Sequence, residues 1–366
     1  MKVMIMTNEV NGLYLFRKEL IKTLQEFGYQ VYVLLPYDKN AYKLEELDCK
    51  LYYVPLERRG NNIIHDIRLF HSYCNLLNRI EPAVVFTYTI KPNLYGGLAC
   101  RIKGIPYLCN ITGLGTAIEN GGLLSHILLL FYKVSICKAK RIYFQNVRNK
   151  DFMNRKGIGC VQGCLLPGSG VNLTEHPYVR YPTEKNGIKI LAVLRIMKDK
   201  GIEEYLDAVR ILTSGKKELS FTLIGDYEEE TRAFYEPQIQ QMIKKGMLTY
   251  LGHVDSVKDV MAQSHIIIHP SYHEGLSNVL LEAAACGRPV LASNICGCIE
   301  TFIQGESGIA FEPKSAESIV QAVEKILTYS EEKRRQMGIR GREWVEDHFD
   351  RNLVIKAYLD EITFLK

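Results

Sequence analysis

Two glutamates in one short segment carry the clearest chemistry in this 366-residue chain. The segment reads His269-Pro-Ser-Tyr-His-Glu274-Gly275-Leu276-Ser277-Asn278-Val-Leu-Leu-Glu282-Ala-Ala-Ala-Cys-Gly-Arg-Pro-Val290. An apolar run ends at His269, a Gly-containing loop follows, and Ser277 or Asn278 is a good N-cap for the helix that begins there. The first turn of such a helix offers backbone N–H groups without intrahelical partners and a partial positive charge, which together make a phosphate site. Glu274 before the helix and Glu282 one turn inside it would bracket a ligand whose phosphate caps the helix. Carboxylates there suit neutral hydroxyls, as on a sugar or a ribose. An ordinary amphipathic helix with one capping acid accounts for the same spacing without a ligand.

A second constellation is Arg195-Ile-Met-Lys198-Asp-Lys200-Gly201, at the end of the apolar run Ile188–Leu194. Arg195 brings a planar fork and Lys200 a point charge, both suited to an anion such as a departing nucleotide diphosphate. Standing alone, the segment reads as a solvated basic loop. Two Gly-bearing loops in the first half, Thr7–Tyr14 with Gly12 and Asn110–Thr116 with Thr112, Gly113 and Gly115, allow close backbone approach to a ligand. Neither is GxGxxG, so they give little support to a dinucleotide site. No DxD pair is present to hold a metal on a diphosphate. Charge neutralisation is therefore expected from Arg195, Lys200 and the helix start, with no metal and no cofactor. A zinc site from Cys160, Cys164, Cys296 and Cys298 is a weaker reading than ten buried reduced thiols, and His265, His269 and His273 are not expected to share a helix face.

The elements that must position these residues alternate. Strands are expected at 3–7, 31–35, 51–54, 83–87, 107–111 and 141–145, with helices at 16–27, 63–80, 94–103 and 123–138 between them. The polar, Pro/Gly-marked stretch 178–187 reads as a linker. Beyond it the alternation restarts, with strands at 188–194, 221–225, 249–251, 266–269, 289–293 and 308–311. Helices are expected at 202–213, 232–244, 256–264, 278–286, 315–328, 331–347 and 353–365. This order predicts an α/β protein of two doubly wound, Rossmann-like domains, 1–180 and 181–350, facing a central cleft where ligands meet the carboxyl ends of both sheets. Residues 351–366 carry a helical apolar stripe and are expected to return to the first domain.

The charge is uneven. Residues 1–180 carry 23 Lys+Arg against 13 Asp+Glu, and residues 181–366 carry 23 against 28, so a net +5 conceals a basic half. Such a half fits an anionic partner as well as a plain solvated surface. No run of 18 apolar residues exists, and Met1–Thr7 reads as a strand rather than a signal peptide, so a cytoplasmic protein is expected.

Glu274-x7-Glu282 followed by Ala-Cys-Gly-Arg-Pro-Val resembles the signature of family-4 retaining glycosyltransferases, which have the GT-B fold. Arg195-x4-Lys200-Gly resembles that family's phosphate-binding pair, and Gly225-Asp226, Leu251-Gly-His-Val254 and Gly297-Cys-Ile-Glu300 sit at matching places. The first half narrows the likeness. Thr87-Tyr-Thr-Ile-Lys91-Pro-Asn93, Thr112-Gly-Leu-Gly115, Phe144-Gln-Asn146 and Leu166-Pro-Gly-Ser-Gly-Val-Asn172 are similar to bacterial transferases that extend polyprenyl-diphosphate-linked sugars, of the N-acetylgalactosaminyl- and galacturonosyltransferase type. Two departures stand out. Leu194 replaces a Gly that often precedes the Arg, and Asn110-Ile-Thr112 lies where many relatives carry a His.

The resemblance implies a retaining hexosyltransferase that uses a nucleotide diphosphate sugar, UDP-linked, as co-substrate and a polyprenyl-diphosphate-linked sugar as acceptor, in capsule, exopolysaccharide or glycan assembly. It implies that Glu282 holds the ribose, Glu274 the donor sugar and Arg195 with Lys200 the diphosphate, with Gly275, Leu276, Ser277, Asn278 and Val254 also lining the donor site. Gly12, Lys91, Thr112, Gly113 and Gly115 would lie on the acceptor side. Glu274, Arg195 and Lys200 would be the catalytic groups. A lipid-linked acceptor implies peripheral contact with the inner face of an anionic membrane, and no nucleic acid. Arg17, Lys18, Lys22, Arg58, Arg59 and the apolar helix 123–138 with its basic end are candidates for that contact, although a core helix is the plainer reading of 123–138. A nucleotide-sugar epimerase or phosphorylase of the same architecture, or a catalytically silent scaffold, are the competing readings.

Overall fold

The computed structural model describes all residues except 58–61, 116–117, 119–120, 215–217, 255 and 364–366. Arg58 and Arg59 therefore lie outside the described residues. The chain forms two units, Met1–Ser169 with Asn352–Lys366, and Gly170–Arg351.

The first unit is a seven-stranded parallel sheet in the order β3-β2-β1-β4-β5-β6-β7. Its strands are β1 Lys2–Met6, β2 Gln30–Leu35, β3 Lys50–Tyr53, β4 Val84–Tyr88, β5 Tyr107–Ile111, β6 Arg141–Phe144 and β7 Gly163–Leu165. Its helices are α1 Val10–Glu26, α2 Tyr42–Glu45, α3 Ile63–Ile80, α4 Gly97–Lys103, α5 Gly122–Ile136 and α6 Val147–Arg155. The central strands are apolar on both faces because helices cover both, and β4 and β5 are buried throughout. β7 and α6 escape the sequence pattern, since Gly163-Cys-Leu is too short for periodicity and Val147–Arg155 is mostly polar.

The second unit repeats the plan in a six-stranded parallel sheet, β10-β9-β8-β11-β12-β13. The strands are β8 Ile188–Val193, β9 Leu219–Ile224, β10 Thr249–Tyr250, β11 Ile266–His269, β12 Val290–Ser293 and β13 Gly308–Phe311. The helices are α7 Ile202–Thr213, α8 Glu229–Lys244, α9 Lys258–Gln263, α10 Asn278–Ala285, α11 Ala316–Leu327, α12 Glu331–Phe349 and α13 Arg351–Thr363, the last returning the chain to the first unit.

The units divide at Ser169/Gly170 rather than at the Pro/Gly-marked 178–187 stretch, because backbone bonds fix residues 170–171 to the end of α12. Val171 N–H donates to the Phe349 carbonyl at 2.8 Å, and Arg351 N–H donates to the Val171 carbonyl at 3.0 Å. Residues 179–180 are held in turn by Arg288, fully buried, whose guanidinium donates to the carbonyls of Val179, Arg180 and Ala262. The Gly-Arg-Pro part of the signature therefore serves the fold and stands apart from the chemistry.

The returning helix α13 buries Val354, Ile355, Tyr358 and Ile362 in the first unit's core with Val10, Leu13 and Phe86. Its Tyr358 hydroxyl lies 3.0 Å from the Tyr88 hydroxyl and hydrogen-bonds Asn110 Oδ1. Arg17, expected on the surface, is buried instead, with its guanidinium 5.2 Å from the centre of the Tyr88 ring. An apolar α1 face around Leu13, Leu20 and Leu24 turns it inward, so it is removed from any membrane surface.

Candidate functional site

In each sheet the winding reverses beside the first strand, between β1 and β4 and between β8 and β11. Such a switch point leaves an opening at the carboxyl ends of the two strands, where the outgoing connections diverge. In the second unit β8 leads into Arg195–Lys200 and β11 leads into Pro270–Glu274, so topology brings the two separately read motifs to one place.

They meet through an ion pair. Lys200 Nζ donates to Glu274 Oε1 at 2.6 Å, and both side chains are largely buried, at 18% and 15% exposure. His269 Nε2 donates to the same oxygen at 2.9 Å. Burial pushes the Glu274 carboxyl up, but the His269 hydrogen bond and the Lys200 charge outweigh it and hold the group well below the usual carboxylate range. Ser271 Oγ lies 3.4 Å from Lys200 Nζ and donates to the His273 carbonyl. Tyr272 N–H donates to the Asp199 carbonyl at 2.9 Å, which ties the two loops at the backbone. Gly201 is required there: it has φ +71°, and a Cβ would collide with the Pro270 carbonyl.

His269 is the residue that sequence reasoning missed. Its ring is 4% exposed, it orients Glu274, and its Nδ1 is buried without a hydrogen-bond partner. The available signal was its place as the last residue of a buried strand, five residues before the glutamate.

Arg195 is on the same connection but in a different setting. It is half exposed and donates to Glu228 Oε1 at 2.7 Å. Neither cation stands as a bare charge in this structure, because each is held by a carboxylate that an anionic ligand would have to displace.

The start of α10 matches its reading. Ser277 caps the helix by accepting from Leu280 N–H at 3.4 Å, and its own N–H donates to the Gly297 carbonyl at 2.8 Å. Gly297, in the matching Gly-Cys-Ile-Glu segment, has φ +89° and sits so close to the Glu274 and Gly275 carbonyls that a Cβ is excluded. The N–H groups of Asn278 and Val279 have no carbonyl inside the helix to pair with. Asn278 Oδ1 is also buried without a partner. Leu276 is a correction: its side chain is 6% exposed and packs with Val171, Leu281 and Val345, so only its backbone faces this loop's chemistry. Glu282 lies one turn in. Burial pushes its carboxyl up to about 7, opposed by the Arg351 charge and reinforced by Glu175. Val254 lies past β10, half-buried against Met261 and Phe302.

In the first unit, Thr112, Gly113 and Gly115 follow β5 as a half-buried loop. Gly12 is a second correction: it lies in the first turn of α1, not in a loop, because the helix begins at Val10. Lys91 is ion-paired with Asp66 at 2.7 Å, and Tyr95 donates to the other oxygen of that carboxylate. At this unit's switch point, Asn8 Oδ1 and Thr89 Oγ1 are buried without hydrogen-bond partners, and Thr89 has φ +72°. A β-branched residue in the left-handed region is strained, and such strain concentrates at functional sites. All ten cysteines are free thiols, though Cys137 and Cys160 are exposed. Among the described residues no three His, Cys, Asp or Glu side chains gather into a metal-binding group.

Comparison with known proteins gives the family. Residues 179–344 match the family described as Glycosyl transferases group 1, and residues 3–146 match Glycosyl transferase 4-like. Together the two models match most of the chain, which belongs to the glycosyltransferases that they describe. It is 24% identical to N,N'-diacetylbacillosaminyl-diphospho-undecaprenol alpha-1,3-N-acetylgalactosaminyltransferase of Campylobacter jejuni, over 98% of this chain and 97% of that one. It is 23% identical to UDP-Gal:alpha-D-GlcNAc-diphosphoundecaprenol alpha-1,3-galactosyltransferase of Escherichia coli, over 84% and 85%. Among solved structures it resembles Anabaena HepE in complex with UDP and glucose, with a TM-score of 0.82, 16% identity and 99% of each chain covered. That likeness carries the fold of this glycosyltransferase and not its donor.

Proposed function

We propose that this glycosyltransferase moves a hexose-type sugar from a UDP-linked donor to a polyprenyl-diphosphate-linked sugar, with retention at the anomeric carbon and without a metal ion. The observation that carries the reading is the Lys200–Glu274–His269 cluster at the second unit's switch point, beside the start of α10. The names of the Campylobacter and E. coli relatives, both transferases onto diphospho-undecaprenol sugars, support the acceptor class.

Each group has a task that follows from its chemistry. The first turn of α10 receives a phosphate. Lys200 leaves Glu274 for the diphosphate and, with Arg195, neutralises the negative charge that grows as the sugar–phosphate bond breaks. Glu274, released from Lys200 but still held by His269, accepts hydrogen bonds from the sugar hydroxyls. Glu282 hydrogen-bonds the ribose. The leaving diphosphate takes the proton of the attacking acceptor hydroxyl, so donor and acceptor share one face of the sugar. Cations and helix dipoles do the work that a metal does elsewhere.

The test is a panel of UDP-sugars offered with an undecaprenyl-diphosphate-linked monosaccharide, with product followed by mass spectrometry and its anomeric configuration by NMR. The expected result is one α-linked product, formed equally in EDTA. Inversion of the anomeric carbon, or activity that EDTA abolishes and Mg²⁺ restores, overturns those parts of the reading. Sugar isomerised without transfer identifies an epimerase, and inertness toward every donor a scaffold.

A further inference from the structure

Helix α5 is apolar on both faces: Leu129, Tyr132 and Ile136 are buried in the core, and a second apolar face lies in water. It buries Ser125 and Ser135 and exposes Leu123, Leu124, Ile127, Leu130 and Val134, with Leu123 at 79% and Leu130 at 64%. Residues 123, 127, 130 and 134 follow the spacing of one helical stripe, so these are one row and not scattered exposures. A row of large aliphatic side chains in water marks an interaction surface.

The row continues onto neighbouring elements. Phe131 of α5 meets the Tyr95 ring edge-on at 5.1 Å, and the Tyr95 hydroxyl donates to Asp66 of α3. That links the first turns of α3 to the middle of α5 through residues 92–96, and α3 exposes Ile63, Ile64 and Ile67. Helix α4 packs against both α3 and α5 and exposes Ile102.

The charge along this stretch of chain is mostly positive, although Arg141 is paired with Glu361 and Glu57 lies against His65 at the start of α3. Residues 97–141 hold Arg101, Lys103, Lys133, Lys138, Lys140 and Arg141 against a single acid, Glu119, which lies outside the described residues. Lys133, Lys138 and Lys140 are exposed at the carboxyl-terminal end of α5, where a hollow of about 220 Å³ opens between Lys133, Ile136, Cys137 and Gly157–Cys160. The one nearby acid on α3, Asp66, is already neutralised by Lys91. An apolar row edged by cations matches a bilayer with anionic headgroups, whose acyl region takes the leucines and whose headgroups take the lysines. The chain itself adds a reason for this location. The loop after β5, with Thr112, Gly113 and Gly115, leads directly into α5.

We propose that the exposed face of α5, with the first turns of α3 and Ile102 of α4, is the surface by which this protein lies on an anionic membrane. This rests on the proposed use of a lipid-linked acceptor only for its biological sense, since the surface is read from exposure and charge. Contact here sets the β5–α5 loop at the headgroup level, where the sugar of a lipid-linked acceptor projects.

The experiment is flotation of the full chain with vesicles of phosphatidylcholine alone or mixed with phosphatidylglycerol, at low and high salt. The expected result is flotation with the mixed vesicles that weakens in salt and is slight with phosphatidylcholine alone. Ile127→Glu with Leu130→Glu should lower the bound fraction roughly tenfold or more on mixed vesicles. Lys133→Glu with Lys138→Glu should remove the advantage of the anionic lipid. All these side chains are exposed, and an unchanged thermal midpoint shows that each variant is folded. Wild-type protein that fails to float, or variants that float like wild type, overturns the proposal. Equal binding to both vesicle types overturns its electrostatic part. A wild-type dimer that becomes monomeric in the leucine variant assigns the face to a second copy of the chain instead. Failure of the transferase reading shows up separately, as no nucleotide-dependent stabilisation or transfer with flotation intact.

Discussion

At the switch point of the first sheet, β1 and β4 lead into Asn8 and Thr89. At that of the second, β8 and β11 lead into Lys200 and Glu274. The winding is the same and the chemistry is opposite. The first opening holds neutral oxygen atoms without partners on a strained backbone. The second holds a tightly paired ammonium and carboxylate braced by a buried imidazole. An open parallel sheet supplies only a place where connections diverge, and the residues at the strand ends decide what that place can bind. Under the proposed function, the neutral opening suits an acceptor sugar and the charged one suits a diphosphate.

The comparison breaks most sharply at Lys200. Lys200→Met should lower transfer roughly 10²–10³-fold, the effect of losing one donor to developing charge. Steady-state kinetics on protein of normal thermal midpoint checks this, and near-normal turnover removes Lys200 from the chemistry. Arg195→Ala should also slow transfer and cost little stability, because the side chain is half exposed.

The two glutamates should respond to pH with opposite sign. Glu274 has its pKa held down in the folded state, so it stabilises the fold above the ordinary carboxylate value of 4.5 and loses that contribution as pH falls below it. Glu274→Gln strands Lys200 in a mostly buried position and should cost about 2–4 kcal/mol at neutral pH, while free UDP binds no more weakly, because it no longer has to displace a carboxylate from Lys200. Glu282 is the reverse. Its pKa rises from 4.5 to about 7, so the folded state keeps a proton that the unfolded state has released, and wild-type stability declines as pH rises through that window. Glu282→Gln should therefore be more stable than wild type at pH 8, by roughly 1–3 kcal/mol, with the difference vanishing near pH 4. At pH 8, where the wild-type carboxyl is ionised, the same variant should bind UDP more weakly, roughly tenfold or more for a lost hydrogen bond to a charged group. Calorimetry of UDP binding and thermal melts across pH separate the pair. Equal loss of UDP affinity in both variants undoes the assignment of one carboxylate to each end of the donor.

The smallest effect belongs to the first unit. Tyr358→Phe removes the hydroxyl that meets Tyr88 and Asn110, and should cost about 1–2 kcal/mol of stability. UDP affinity should not change, because the network lies wholly in the first unit. A UDP affinity that follows this substitution would show that the two switch points are not independent.

Much of this architecture is legible in the chain. The helix expected at 63–80 occupies Ile63–Ile80, and the one expected at 202–213 occupies Ile202–Thr213, because each repeats apolar residues with a helical period between clear breaks. The α10 cap at Ser277 is legible for the same local reasons. Gly12 was misplaced because α1 starts with Val10 and lacks a side-chain cap to mark it, and Leu276 was misplaced because alternation in a loop carries no sign of which side is core. The helix expected at 123–138 reads first as core, and it is only partly so, since near-continuous apolar sequence leaves periodicity nothing to report about which face is exposed.

By itself, then, the sequence determined the order of most strands and helices, the two parallel sheets, and the segments that carry cations, carboxylates and a helix start. Local spacing, capping and apolar period are properties of neighbours in the chain, so they survive without a fold. Only the tertiary structure decided that Lys200 and Glu274, 74 residues apart, form an ion pair, and that His269 braces it. It also turned Arg17 inward onto Tyr88, made Arg288 a tie for residues 179–180, and set Leu123, Leu124 and Leu130 of α5 in water while Leu129 and both serines went inside. Those outcomes depend on which strand lies beside which and which helix face meets a sheet. Such choices are set by the summed packing of distant residues, and no single stretch of chain contains them.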